Sequence, residues 1–169
     1  DGPIFPEIGN LDVLNAVKNS DHWNSPINNG SSKDGKLRGR GIASGYWMNG
    51  GGKSSATLSV NDDGTVSLLE GSADIGGTRS SIAMHAAEVL GLKAEDIIPR
   101  IPDTDGVGYT GMTGGSRTTY ATGMAAYQAA ESLVEKLTSR VAILWDISEK
   151  DIEFKNSIFQ SKKDSELRI

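Results

Sequence analysis

Gly71-Ser72-Ala73-Asp74-Ile75-Gly76-Gly77-Thr78-Arg79-Ser80 and Gly111-Met112-Thr113-Gly114-Gly115-Ser116-Arg117-Thr118-Thr119 are two glycine-rich turns, each leading into a helical pattern. Glycine lets the backbone turn sharply and come close to a ligand. A helix start offers unpaired N–H groups and the positive end of a dipole, which suits an anion. Two such turns in one small domain point to a phosphate-bearing ligand held between them.

Working outward, Thr78 to Leu92 reads as a helix. Ile82, Ala86, Val89 and Leu90 share one face, and Gly91 is a natural stop. The second turn opens a long helix, roughly Thr119 to Trp145. There Tyr120, Met124, Tyr127, Ala130, Val134, Leu137, Val141 and Leu144 recur at steps of three and four. Between the helices, Ile97 to Ile101 is a short strand. Upstream, Ala56-Leu58-Val60 alternates with Thr57-Ser59, Asn61-Asp62-Asp63-Gly64 is a hairpin turn, and Val66 to Glu70 returns as the paired strand. Gly39 to Asn49 reads as a strand before these, ended by Gly50-Gly51-Gly52, so that a three-stranded antiparallel meander is expected. Ile152-Glu153-Phe154 and Ile158-Phe159-Gln160 form a last hairpin about Asn156-Ser157. The order βββαβαββ predicts an α+β fold, a mixed or mostly antiparallel sheet with two helices packed on it.

Residues 1–37 lack this order. Leu11, Leu14 and Val17 suit a short helix of about 8–10 residues, capped by Asn10 or entered after Gly9. Asn24 to Gly35, rich in Asn, Ser, Gly and Pro, reads as a linker. The expected division is an N-terminal arm, 1–37, and a domain, 38–169. The first residue is Asp1 rather than Met, and Glu166-Leu167-Arg168-Ile169 stops within an alternation that should continue as a strand. The expectation is an excised piece of a longer protein.

Composition removes several functions. The formal net charge of −5 argues against nucleic acid as the partner. Absence of cysteine excludes disulfides, a thiolate nucleophile and Cys-ligated zinc or iron–sulfur sites, and fits a cytoplasmic setting. No apolar run is long enough for a membrane segment. With two histidines, His22 in the arm and His85 in the first long helix, a protein-ligated metal is not expected. No nucleophile–base–orienter set is present, so no catalytic residue is assigned.

The loops carry the chemistry. In the first, Gly76 and Gly77 let amides face a ligand, Thr78 is an N-cap and Arg79 can add charge; a tight turn with ordinary capping is the plainer reading. In the second, Thr113, Ser116 and Thr118 interleave hydroxyls with the bare amides of Gly114 and Gly115, the donor mix that phosphate or pterin heteroatoms require. Ser116 or Thr118 as a simple N-cap is the plainer reading there. Neither loop is a Walker A motif or a Rossmann fingerprint. Asp103 and Asp105 suit a cation or acid/base pair, but more readily cap a turn.

Order and spacing of these segments resemble the molybdenum-binding subunit of the xanthine dehydrogenase/aldehyde oxidase family. Gly71 to Thr78 stands where that family has a small-residue/Glu-x-Gly-Gln-Gly segment. Ala86-Ala87-Glu88-Val89-Leu90-Gly91-Leu92, Pro102-Asp103-Thr104, Thr113 to Thr118 and Gly123-Met124-Ala125-Ala126 follow in register, so the likeness covers residues 38–145. The resemblance implies one repeat of a molybdopterin-binding domain, from an oxidoreductase that hydroxylates an aldehyde or N-heterocycle with water as oxygen source. It implies Gly76, Gly77, Thr78, Thr113, Gly114, Gly115, Ser116 and Thr118 as cofactor-facing residues, Gly114 and Gly115 lying toward the substrate. It implies as partners the remaining domains of the subunit, iron–sulfur and flavin subunits, and a small-molecule substrate. Gly77 replaces the family's Gln, and Thr78 the Gly after it. The family's catalytic glutamate lies elsewhere in the subunit; Glu88, Glu95 and Glu131 match no such role. The fragment alone is therefore expected to be inactive and without cofactor. A phosphate- or nucleotide-binding module using two helix N-termini, and a structural segment without cofactor contact, are the competing readings.

Overall fold

The computed structural model describes residues 7–27, 35–47, 49–100 and 102–169. Residues 28–34 of the expected linker, Met48 and Ile101 lie outside them. Two compact units divide the chain, Asp1–Tyr46 and Trp47–Ile169.

In the first unit, helix α1 spans Asn10–Lys18, entered after Gly9 as its sequence suggests, and a single turn, α2, spans Asp21–Asn24. Ser20 caps the turn by accepting from Trp23 N at 3.1 Å. Arg40 donates to the carbonyls of Trp23 and Ser25 and to Ser25 Oγ, tying 40 to the end of α2. The strand expected from Gly39 is absent among the described residues of 39–49. Gly39, Gly41 and Gly45 interrupt it, and glycine gives a strand neither side-chain packing nor backbone economy.

The second unit is the α+β domain. Strands β1 (Ala56–Val60) and β2 (Val66–Glu70) pair antiparallel, with Leu58 opposite Leu68. The turn between them is built by Asp63, whose carboxylate accepts from Thr65 N and Oγ1. Those bonds hold the Asp63 carboxyl below its ordinary pKa, the Thr65 hydroxyl contributing most. Helix α3 (Thr78–Leu90) then crosses to β3 (Ile97–Arg100), which lies parallel to β2 with Val66 opposite Ile97. The sheet is thus mixed, β1-β2-β3, in place of the expected antiparallel meander. Helix α4 runs Gly123–Trp145, preceded by a π-helical turn, Thr118–Thr122. The core joins Val66, Leu68 and Ile97 of the sheet to Ile82, Ala83, Ala86, Ala87 and Leu90 of α3 and Ala126 and Ala130 of α4. Alanines on the facing helices permit close approach.

A second core closes the far end. β4 (Ile152–Lys155) and β5 (Ile158–Ser161) pair antiparallel as expected, and Ile152 and Phe159 pack with Val141 and Ala142 of α4. Phe154 and Phe159 stack with ring centroids 4.6 Å apart. Ser157 Oγ lies 2.8 Å from the carbonyls of Leu90 and Gly91, so the hairpin tip caps the end of α3. The terminal residues pair beside β5: Phe159 and Ile169 exchange backbone hydrogen bonds at 2.8 and 3.0 Å.

Candidate functional site

Parallel pairing brings the two glycine loops together. β2 and β3 point the same way, so the chain leaves both at one sheet edge, after Glu70 and after Arg100. Ligand crevices in parallel sheets form at that carboxyl edge. A cavity of about 370 Å³ lies between the loops, lined by Ile75 and Thr78 from the first and by Thr113, Gly114, Ser116, Arg117, Thr118 and Thr119 from the second. Of the sequence-predicted residues, Thr78, Thr113, Gly114, Ser116 and Thr118 line it. Gly76, Gly77 and Gly115 do not; they turn the backbone, with φ of +61°, +90° and +65°.

The first loop is organised by its own carboxylate. Asp74 Oδ1 accepts from Arg79 N at 3.2 Å and from the Thr78 hydroxyl at 3.1 Å, while Thr78 Oγ1 accepts from Ile75 N at 3.0 Å. The Arg79 amide, then the Thr78 hydroxyl and the Arg79 charge, hold the Asp74 carboxyl below its usual range. Gly77, not Thr78, is the N-cap of α3, and the capping oxygen comes from Asp74. The Asp74 carboxylate thus occupies the Arg79 amide at this helix start, and Gly76 and Gly77 turn the backbone before it.

The second loop is organised by Arg117, which sequence reasoning passed over. Its side chain is 6% exposed. Nε donates to Gly51 O, Nη1 to Gly111 O at 2.8 Å and Met112 O at 3.3 Å, and Nη2 to Lys53 O at 2.7 Å and Ser54 Oγ at 3.0 Å. One guanidinium therefore staples 51–54 to 111–112. A Cβ on Gly52 would sit 3.2 Å from Arg117 Nε, so the glycine triplet that breaks the chain before β1 is also what lets it wrap the guanidinium. Gly50 N adds a backbone bond to the loop, donating to Gly115 O at 2.7 Å. Neither Ser116 nor Thr118 caps the following helix; Arg117 is the N-cap position, without a side-chain bond.

Two properties of the cavity bear on its guest. All Arg117 partners are neutral, so a buried positive charge stands behind the wall. The Thr118 hydroxyl, on a residue 5% exposed, is buried with no partner. A buried polar atom left unpaired costs about 1–3 kcal/mol, which a guest supplying a hydrogen-bonding oxygen or nitrogen recovers. An anionic, heteroatom-rich guest fits both. No three His, Asp or Glu side chains converge to hold a metal among the described residues. Asp103 is a turn former, its Oδ1 accepting from Asp105 N at 3.1 Å and Gly106 N at 2.8 Å. His85 Nδ1 lies 2.7 Å from Ser81 O, one turn back on α3, and its ring packs against Gly123.

The fold is thus an α+β domain with a loop-walled crevice beside a mixed sheet. The chain belongs to the molybdopterin cofactor-binding domain family, whose family model matches residues 16–168. It is similar to the solved structure of Cu,Mo-CO dehydrogenase in its carbon monoxide reduced state, at 29% identity and a TM-score of 0.64. Reconstituted CO dehydrogenase from Oligotropha carboxidovorans gives 29% and 0.63. Quinoline 2-oxidoreductase from Pseudomonas putida 86, at 22% and 0.59, shares the fold. Each match covers 69% of this chain and 15% of the other, so this chain spans a small part of those proteins. The resemblance to molybdenum hydroxylases is thereby borne out, and molybdopterin is the cofactor this family of domains binds. Among the described residues no helix is long and apolar enough to cross a membrane.

Proposed function

We propose that this chain supplies one edge of the molybdopterin site in a larger molybdenum hydroxylase subunit of the xanthine dehydrogenase/aldehyde oxidase type. The observation that carries this reading is the cavity walled by both glycine loops, with the buried Thr118 hydroxyl unpaired in its wall. Thr113, Ser116 and Thr118 would hold phosphate or pterin heteroatoms by hydroxyl hydrogen bonds. Gly114 and Gly115 would present the backbone on the substrate side, and Gly76, Gly77 and Thr78 would form the opposite rim. Arg117 fixes the loop and contributes its field from behind. When bound, the cofactor supplies the redox centre at which a carbon beside nitrogen or oxygen is hydroxylated, water giving the oxygen.

The chain contributes no catalytic base in this reading. The remaining domains of the subunit complete the pocket, iron–sulfur and flavin subunits take the electrons, and the setting is cytoplasmic. A binding free energy spread over several lobes is not retained by one of them. The isolated 169-residue chain is therefore expected to be inactive and to bind molybdopterin weakly or not at all. Reconstitution with molybdopterin tests this: stoichiometric tight binding by the chain alone refutes it. The competing module, with a phosphate shared between two helix N-termini, is disfavoured because Asp74 already fills the first of them. It predicts a rise in melting temperature with inorganic phosphate that Thr118→Val abolishes.

A further inference from the structure

A second cavity, of about 260 Å³, lies under the first glycine loop and shares no lining residue with the one above. Its walls include Glu70, Ser72, Arg79, Asp103 and Thr104. Glu70 is 2% exposed. It stands there because β2 alternates: Val66, Leu68 and Glu70 all face inward. One carboxylate oxygen accepts from Ser72 N and Oγ. The other, Oε1, is buried and unpaired, as are Arg79 Nε and Thr110 Oγ1. Thr110 Oγ1 lies 3.3 Å from where a Cβ on Gly71 would stand, which places it against the same loop. Three of the four buried unpaired side-chain atoms among the described residues therefore surround one short stretch of chain.

Their chemistry limits the guest. Glu70 Oε1 needs a donor and repels anions. Arg79 Nε needs an acceptor and repels cations. The Thr110 hydroxyl serves either way. A free metal ion or a phosphate satisfies one and antagonises the other. A neutral group with N–H beside C=O satisfies both. We propose that this cavity binds a compact amide, its N–H donating to Glu70 Oε1 and its carbonyl accepting from Arg79 Nε. Two sources share that chemistry: a small carboxamide, and a peptide unit of another chain segment. The inference is independent of the cofactor reading.

An NMR titration of the isotope-labelled chain tests it, with acetamide, N-methylacetamide, acetate and methylammonium as probes. Both amides have few heavy atoms, so affinity in the millimolar range is expected. Saturable shifts should appear at the Ser72 amide and the Arg79 Nε–H for the amides and not for the two ions. Preference for acetamide identifies the small carboxamide as guest, and preference for N-methylacetamide the peptide unit. Glu70→Gln keeps an oxygen for Ser72 and turns the free acceptor into a donor. It should weaken amide binding at least about tenfold, the loss of one charge-assisted hydrogen bond, and should let acetate bind. Arg79→Met, which leaves Glu70 intact, should weaken the amides similarly. Equal response to all four probes, unchanged binding by both variants, or no saturable shift because water alone fills the cavity, overturns the proposal.

Discussion

Arg117→Met removes a guanidinium and keeps a stem of similar reach, so its effect isolates the staple. Five acceptors lose their bond from Arg117: the carbonyls of Gly51, Lys53, Gly111 and Met112 and the hydroxyl of Ser54, of which Lys53 O keeps Gly111 N and Ser54 Oγ keeps Thr122 Oγ1. Lys53 and Met112 belong to exposed residues and regain water readily, whereas Gly51, Gly111 and Ser54 are half-buried. Taking those three at about 1–2 kcal/mol each gives a loss of about 4 kcal/mol. For a unit of this size each kcal/mol moves Tm by roughly 3–5 °C, so a fall of about 12–20 °C is expected in calorimetry or by circular dichroism. Arg117→Lys keeps the charge with fewer, unforked donors and is expected to restore about half of the loss. A Met variant melting within about 2 °C of the parent chain would show the loops to be held by other bonds, and the staple argument would fail.

Other perturbations follow from the same geometry. A Cβ on Gly91 would sit 2.6 Å from Asn156 Cα at a residue with φ of +64°, so Gly91→Ala should cost about 3 kcal/mol. Hydrogen exchange should then show the 152–161 hairpin losing protection before β1–β2. Gly77→Gln, which restores the family's amide, meets open space but a φ of +90°; a loss of about 1–2 kcal/mol is expected in urea titration. A neutral effect would remove left-handed strain as the reason for glycine there. Asp74 has a folded-state pKa below its unfolded value, so its stabilisation is full above the unfolded value of about 4 and is lost as pH falls through the folded one. Urea midpoints of Asp74→Ala should therefore lie below the parent's at neutral pH and converge with it in acid; a constant gap would refute the assignment.

Periodicity made most of the architecture legible. Alternation at Ala56–Val60 and Val66–Glu70, the Asn-Asp-Asp-Gly turn and the long heptad-like run to Trp145 each specify one local conformation, and the structure keeps all of them. Gly39 to Asn49 misled because its apolar residues suit a strand but Gly39, Gly41 and Gly45 leave little to pack. The parallel placement of β3 was beyond local pattern, since Ile97–Arg100 reads the same in either direction. In the site, loop chemistry located the right hydroxyls, while Arg117 went unassigned because its partners are carbonyls, which a sequence does not display. Glu70 was readable in retrospect: the alternation that buries Val66 and Leu68 buries the carboxylate two residues on.

The self-supplied carboxylate at the start of α3 has a bearing on the order of assembly. With Asp74 satisfying the Arg79 amide, that helix is complete before any guest arrives. The opposite wall is not: Thr118 keeps an unpaired hydroxyl, and the Arg117 charge meets only neutral acceptors. One wall of the crevice thus acts as a finished mould and the other as the side that gains on filling. Loading a guest there deepens the stability of an already folded body instead of triggering its formation.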